Sequence, residues 1–241
     1  MKIAIIGAGA MGSLFGGHLA LGGQDVTLID VNANHISAIN ERGLIIEGAS
    51  GVRCARPRAG RPKDFAQPQD FVIIFTKGAH TEAALVPALH LINEQTWVLT
   101  AQNGLGNANL IARHVPLDRI AIGTTSYAAA LNGPGRLLLQ AGGDLRIWAP
   151  NGSRAPAVER LAEAISAAGL DCKADPKVEG AIWEKIAFNA AINSLSAVTK
   201  YRVGELGDLP AGRTLVGPGG AEGNTNSDRR QDQCHICCGV L

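Results

Sequence analysis

The chain has 241 residues, 46% of them hydrophobic and 18% charged, which suffices for one large globular domain or for one domain and part of another. Its formal net charge of +1 at pH 7 gives no reason to expect nucleic acid or an acidic membrane surface as a partner. Because no apolar run reaches the ~20 residues that span a bilayer, and the N-terminus has no signal-peptide pattern, we expect a cytoplasmic protein without a membrane partner.

A glycine-rich turn joins the first predicted strand to the first predicted helix. Residues 2–6 form an apolar run typical of a buried strand, and residues 13–22 have a helical pattern. Between them stands the spacing of the dinucleotide-binding fingerprint, formed by Gly7, Ala8, Gly9, Ala10, Met11 and Gly12. These glycines would allow a tight turn, close approach to a pyrophosphate and close packing of helix on strand. A merely structural glycine turn is the alternative, and the strand–turn–helix context favours a cofactor site.

Asp30 ends the second predicted strand, residues 25–30. A carboxylate at this place can accept both ribose hydroxyl groups of NAD(H), and it would repel the 2′-phosphate of NADP(H). No arginine occupies positions 31–34, and Arg42 on the following helix is a weak candidate for binding a phosphate. The alternative is that Asp30 caps a helix or is a loop carboxylate.

Strands and helices alternate along the rest of the chain, which predicts an α/β fold with a doubly wound parallel sheet. Helices are predicted at residues 33–42, 80–92, 107–114 and 155–169. Strands are predicted at residues 43–48, 52–55, 70–77, 97–101 and 120–125, with an antiparallel pair at 136–140 and 145–148. Residues 56–69 contain three prolines, and we expect a loop with a short helix there.

Two polar side chains stand at the ends of predicted strands. Lys77 closes one strand, and Asn103 follows another, just before Gly104 and Gly106 let the chain turn. Ligands of open parallel sheets bind beyond the carboxyl ends of the strands. Each residue alone could be an ordinary loop or turn residue, but their common position at the edge of the fingerprint favours a site.

A polar stripe interrupts a mostly apolar predicted helix near residues 180–195. Lys185, Asn189 and Asn193 are four residues apart and therefore lie on one helix face. Buried groups of this kind are costly without a partner, so the stripe predicts a polar ligand lying along the helix. The alternative is a stripe that faces solvent.

These motifs together resemble those of the ketopantoate reductases (2-dehydropantoate 2-reductases), from Met1 to about Val216. The motifs that carry the resemblance are residues 7–12, 75–77, 102–106, 123–125, 133–135 and 182–193. The resemblance implies NAD(P)H-dependent reduction of a small keto acid, 2-dehydropantoate, to pantoate, a precursor of pantothenate and coenzyme A. It implies NADPH as the usual cofactor, but Asp30 departs from the basic residue expected for that preference and leaves NADH use open.

The same resemblance implies roles for individual residues. Lys185 would be catalytic and donate a proton to the keto oxygen as hydride arrives from the nicotinamide. Asn103 would be catalytic and contact both cofactor and substrate. Lys77 would line the same cleft, and Asn189 and Asn193 would hold substrate oxygens.

The predicted domains are a Rossmann dinucleotide-binding domain at residues 1–175 and the first part of an α-helical substrate and dimerisation domain at residues 176–216. Residues 217–241 are rich in glycine, asparagine and charge, and we expect a disordered, aberrant tail that follows a truncation or frameshift. A serine and a glutamate that the family places further on would then be missing, so we expect cofactor binding with weak or absent turnover. Apolar residues left exposed would favour aggregation or a homodimer that covers them.

The tail contains soft metal ligands, namely Cys234, His235, Cys237 and Cys238. No second pair stands at zinc-finger spacing, so we expect no metal and reduced thiols. Two other functions stay open at this point. One is a related dehydrogenase of 2-keto or 3-hydroxy acids, and the other is a catalytically dead dinucleotide-binding fragment.

Overall fold

The computed structural model describes residues 1–210, so the expectations for the tail and for its Cys234, His235, Cys237 and Cys238 lie outside the described residues. In chain order the strands are β1 (Lys2–Ile6), β2 (Asp25–Ile29), β3 (Leu44–Gly48), β4 (Gly51–Ala55), β5 (Arg58–Gly60), β6 (Phe71–Ile74), β7 (Trp97–Thr100), β8 (Ile120–Thr125), β9 (Ala128–Leu131), β10 (Arg136–Ala141), β11 (Leu145–Trp148) and β12 (Cys172–Ala174). The helices are α1 (Ala10–Leu21), α2 (Ala33–Arg42), α3 (Thr81–Leu85), α4 (Asn107–Ile111), α5 (Pro156–Ala167), α6 (Val178–Thr199) and α7 (Val203–Asp208). The described chain divides into two units, the first Met1–Glu179 and the second beginning at Gly180.

The first unit is built on an eight-stranded sheet in the order β12-β11-β8-β7-β6-β1-β2-β5. Its strands are parallel except where β11 runs antiparallel to β8. The central strands β1 and β6 are apolar and buried over residues 3–6 and 71–74, as expected of parallel strands that are covered on both faces. The strand order reverses between β1 and β6, as in a doubly wound sheet, so the predicted α/β Rossmann-type fold is confirmed.

A second sheet of four strands, in the order β4-β3-β10-β9, packs beside α1. The antiparallel pair expected from residues 136–140 and 145–148 is wrong, because these segments belong to different sheets. β10 pairs with β3 and β9, whereas β11 crosses to the edge of the large sheet and pairs with β8. The chain changes sheet near Asp144, whose backbone N–H donates to Ser126 Oγ at 2.9 Å.

Helix α1 lies between the two sheets and is buried along most of its length. A Cβ atom on Gly16 would come within 2.5 Å of a Leu28 methyl group in β2. A Cβ on Gly17 would come within 2.6 Å of an Ile46 methyl group in β3. The glycines thus let one helix approach both sheets, which a residue with any side chain would hold apart.

Three other expectations differ from the structure. Residues 56–69 contain β5 as well as the 3-10 turn at Pro62–Asp64, so a strand of the large sheet lies where a loop was expected. The helix expected at residues 80–92 is α3 between two 3-10 turns, since Pro87 lacks the N–H that a continuous α-helix needs. The helix expected at residues 107–114 is only α4, Asn107–Ile111.

The second unit is helical over its described residues. Helix α6 has 22 residues and begins in the first unit, and α7 follows after Lys200, which adopts a positive φ of 63°. The expected start of a helical part is therefore confirmed. None of the helices in residues 1–210 combines the length and apolar character that crossing a bilayer requires.

Replacing Gly16 by valine should lower the free energy of unfolding by about 1–3 kcal/mol, because the added methyl groups would force α1 away from Leu28. Urea unfolding followed by circular dichroism measures this. The matched control is Gly142→Ala, since a Cβ there meets nothing within 4 Å and should change stability by less than about 0.5 kcal/mol. Equal stabilities of the two variants would contradict the packing argument.

Candidate functional site

The glycine turn between β1 and α1 is closely packed at its first and third glycines. Gly7 has φ of 92° and donates its N–H to the Ile29 carbonyl at 2.8 Å. A Cβ on Gly7 would stand 2.8 Å from the Thr76 nitrogen, and one on Gly12 would stand 2.0 Å from the Gly7 oxygen. Neither position accepts a side chain, so the turn needs glycine at both.

The second glycine faces open space. A Cβ built on Gly9 meets nothing within 4 Å, although Gly9 is the N-cap of the twelve-residue helix α1. Within the part of the chain that the structure describes, no side chain caps α1 and no acidic residue stands in its first turn. The free N–H groups and positive dipole end of the helix therefore border a space that fits an anion such as a pyrophosphate.

A buried relay of hydrogen bonds supports the turn from behind. Ser13 Oγ donates to the Ala8 carbonyl at 2.8 Å, and His35 Nε2 lies 3.2 Å from the same hydroxyl. The Gly135 N–H donates to His35 Nδ1 at 3.0 Å. Because Nδ1 accepts, Nε2 carries the proton and donates to Ser13. The relay connects the loop before β10 to the glycine turn between β1 and α1. No local sequence pattern predicts it, because its members lie up to 100 positions apart.

His35 is buried, and burial lowers the pKa of its imidazole below the ordinary 6.5. The Asp30 carboxylate and the Ala8 carbonyl oppose this shift without cancelling it. A proton on Nδ1 would also point at the Gly135 N–H. The neutral form is therefore the one that completes the relay.

Asp30 lies at the end of β2, as expected. Its Oδ1 accepts the backbone N–H groups of Val31 at 2.7 Å and Asn32 at 2.8 Å. The N-cap of α2 is Asn32, whose side chain accepts the His35 N–H at 3.2 Å. Asp30 therefore braces its own loop. The loop is also contacted by Arg61, an exposed arginine far from positions 31–34 in the sequence, which donates to the Val31 carbonyl.

The ends of β6 and β7 are tied by the Gln102 carboxamide. Its Nε2 donates to the Thr76 carbonyl at 2.6 Å and lies 2.9 Å from Thr81 Oγ1. Its Oε1 accepts the Thr100 hydroxyl at 3.0 Å. Gln102 thus fixes the backbone beside Lys77. The sequence pattern did not predict this positioning role, because it indicates only a turn at residues 102–104.

The structure brings several predicted site residues to one edge of the large sheet. Thr76 borders Gly7, and the exposed residue Lys77 follows it directly. Asn103 is exposed beyond β7, and its carbonyl accepts from Asn107 Nδ2 at 3.3 Å. The roles assigned to Lys77 and Asn103 stay predictions.

The stripe of Lys185, Asn189 and Asn193 lies on α6, in the helical unit. All three residues are half-buried. Ile192 beside it is buried, whereas Trp183 is 53% exposed. The roles of Lys185, Asn189 and Asn193 toward a substrate also stay predictions.

No cluster of three or more histidine, cysteine, aspartate or glutamate side chains in residues 1–210 could hold a metal ion. Cys54 and Cys172 are free thiols. Burial raises the pKa of the Cys172 thiol to about 12, so this thiol is unreactive near neutral pH.

Two family models match the chain. One is described as ketopantoate reductase PanE/ApbA and matches residues 3–152, and the other is described as its C-terminal part and matches residues 177–224. The second match extends past the boundary expected near Val216.

Several curated relatives are named 2-dehydropantoate 2-reductase. A 2-dehydropantoate 2-reductase of Halobacterium salinarum is 33% identical over 217 residues, which are 90% of this chain and 71% of that protein. One of Pyrococcus horikoshii is 38% identical over 208 residues, which are 86% of this chain and 67% of that protein. The chain thus spans about two thirds of these relatives.

Solved structures agree on the fold. The ternary structure of a D-mandelate dehydrogenase with NADH and anilino(oxo)acetate has a TM-score of 0.82 at 33% identity, covering 90% of this chain and 70% of that one. A 2-dehydropantoate 2-reductase of Geobacter metallireducens has a TM-score of 0.80 at 28% identity, covering 90% and 71%.

Replacing His35 by glutamine should lower stability at pH 7.5 by about 1–2 kcal/mol through loss of buried hydrogen bonds. It should also flatten the dependence of stability on pH. With a lowered pKa in the folded state, His35 takes up a proton in the unfolded chain first, so stability falls as pH drops below 6.5. Urea unfolding at pH 7.5, 6.5 and 5.5 measures both effects. Parallel curves for the variant and the unmodified chain would contradict the second.

Proposed function

This chain belongs to the ketopantoate reductase family, and we propose that it reduces 2-dehydropantoate to pantoate with a reduced nicotinamide cofactor. The observation that carries the proposal is that the fingerprint turn, Lys77 and Asn103 follow the carboxyl ends of three neighbouring strands, β1, β6 and β7. The family model covers most of that unit, and relatives with this activity in their names cover most of the chain. The reaction is an oxidoreduction of a CH–OH group with NAD(P) and serves pantothenate and coenzyme A biosynthesis.

The residues at the turn fit the cofactor. Open space at Gly9 and the uncapped N-terminus of α1 suit the pyrophosphate, and Asp30 suits the adenosine ribose. When bound, the cofactor supplies a hydride for the keto carbon. NAD(P)H is the expected cofactor, since the family uses NADPH and a similar dehydrogenase binds NADH.

Lys185 is proposed as the proton donor. Reduction adds hydride to the keto carbon and leaves charge on its oxygen, and an ammonium group stabilises that charge before it gives up a proton. Asn189 and Asn193 carry amide N–H donors and carbonyl acceptors on the same helix face, which suits a hydroxy acid with its carboxylate. Lys77 and Asn103 would hold cofactor and substrate at the sheet edge, where Gln102 keeps the backbone in place.

A second candidate is the interconversion of 2-hydroxy and 2-keto acids with an aromatic side chain. The similarity to D-mandelate dehydrogenase favours it, because that structure has the higher TM-score of the two compared above. The relatives named as 2-dehydropantoate 2-reductases support the first candidate more strongly. A dinucleotide-binding chain without turnover is the third outcome.

We also propose a cytoplasmic, homodimeric protein whose partner is a small keto acid. The free thiols Cys54 and Cys172 suit a reducing compartment. Trp183 and Val198, 53% and 84% exposed on α6, are apolar side chains that self-association would cover. Light scattering after gel filtration tests the dimer.

The activity is tested by mixing the purified chain with NADPH or NADH and following absorbance at 340 nm. We expect oxidation that depends on 2-dehydropantoate and exceeds that with phenylglyoxylate, the keto acid of mandelate. Faster reduction of phenylglyoxylate would support the second candidate. Cofactor binding without oxidation by either acid would contradict both.

Replacing Lys185 by alanine should lower kcat by about 10²–10⁴-fold, because the proton donor is lost, and should leave cofactor affinity unchanged. Lys177→Ala is the matched control, since this exposed lysine stands just before α6 and carries the same charge. Equal activities of the two variants would remove Lys185 from the mechanism.

A further inference from the structure

Arg61 lies beside the carboxyl end of β2, although it is 31 positions from Asp30 in the sequence. β5 is the parallel neighbour of β2, with Ile29 opposite Gly60. The Asp30 N–H donates to the Gly60 carbonyl at 3.1 Å, which continues this pairing to the end of the strand. Asp30 and Arg61 therefore follow two paired strands at the same level, with their backbones about 5 Å apart across the sheet.

The Arg61 guanidinium stands over the turn that follows β2. Its Nη2 donates to the Val31 carbonyl at 2.8 Å, and its backbone N–H donates to Asp64 Oδ2 at 2.7 Å. The side chain is exposed, and within residues 1–210 it has no carboxylate within ion-pair distance. A guanidinium has five N–H donors, so donors and a full positive charge are available to a ligand at this turn.

Asp30 presents less negative charge to that ligand than its position in the sequence suggests. Its Oδ1 already accepts two backbone N–H groups, from Val31 and Asn32. The carboxylate is also half-buried in its own loop. Oδ1 is thus occupied by the turn, and the positive charge of Arg61 is supplied beside the same turn, where its guanidinium donates to the Val31 carbonyl.

We propose that Arg61 binds the 2′-phosphate of NADP(H) and so determines which cofactors this chain accepts. Position 31, where a basic residue would serve this purpose from the turn itself, holds valine. The neighbouring strand supplies the cation to the same place. The chain accordingly binds NADPH in spite of Asp30 and retains NADH through the ribose contact of that carboxylate. This inference rests on the proposed nicotinamide-dependent function.

Two other roles of Arg61, neither of which distinguishes NADPH from NADH, predict different results for its replacement. If the side chain only braces the Val31 carbonyl, its loss weakens both cofactors through the same loop. If the guanidinium stacks on the adenine ring, its loss again weakens both, since the two cofactors have the same adenine. Only contact with the 2′-phosphate changes the ratio of the two affinities.

The test is fluorescence titration of NADPH and NADH with the full chain and no keto acid present. Arg61→Gln keeps an N–H donor for Val31 and removes the charge. We expect the Kd for NADPH to rise about 10- to 100-fold and that for NADH to change less than about two-fold. Arg61→Lys should restore part of the NADPH affinity. Competition by 2′,5′-ADP should weaken in Arg61→Gln in the same proportion, while competition by 5′-AMP should not.

Arg58→Gln is the matched control. It removes the same charge from the same strand, but Arg58 pairs with Asp25 at 2.9 Å and lies opposite Thr27, well before the strand end. It should leave the ratio of the two Kd values within about two-fold of the unmodified chain. Asp30→Asn keeps the oxygen that accepts from Val31 and should tighten NADPH relative to NADH.

An unchanged ratio in Arg61→Gln, or an equal loss of both cofactors, would overturn the proposal. Failure of the unmodified chain to bind either cofactor would overturn both this proposal and the proposed function. Discrimination that depends on Arg61, in a chain that reduces no keto acid, would sustain this proposal and overturn the proposed function alone.

Discussion

The close approach of Gly7 to the backbone of Thr76 is the constraint on which the site depends. It holds the start of α1 against the end of β6, so that the free N–H groups of the helix and the residue Lys77 share one edge of the sheet. Gln102 extends the same arrangement to β7 by bonding to the Thr76 carbonyl. A side chain at Gly7 would separate these parts. The turn therefore determines how the carboxyl ends of β1, β6 and β7 are placed relative to one another.

Two buried histidines connect α1 to distant parts of the unit. His35 joins the helix's first turn to the loop before β10, and His18 lies 3.1 Å from the Ala168 carbonyl after α5. Burial lowers the pKa of both imidazoles. Neutral imidazole suits these places because it donates with one nitrogen and accepts with the other, and each ring bridges two elements without a buried charge.

The parts of the structure that the sequence predicted are those with a local signal. The apolar runs of β1 and β6 and the spacing from Gly7 to Gly12 each lie within a few residues, and the stripe on α6 follows directly from helical periodicity. The parts that it could not predict join distant segments. The bond from Gly135 to His35 spans 100 positions, and Arg61 reaches Val31 only because a three-residue strand, too short for any periodicity, pairs with β2. The false hairpin of β10 and β11 arose from the same cause, since strand partners are chosen by the tertiary structure.

The large sheet ends in a three-residue strand at each side, β5 and β12. Exposed sheet edges attract strands from other molecules, and proteins guard against this with short edges, charge and proline. β5 has Arg58 within it and is followed by Arg61 and Pro62, and β12 has an exposed lysine at its centre, Lys173. Both borders of the large sheet therefore resist the intermolecular strand addition that leads to fibrils.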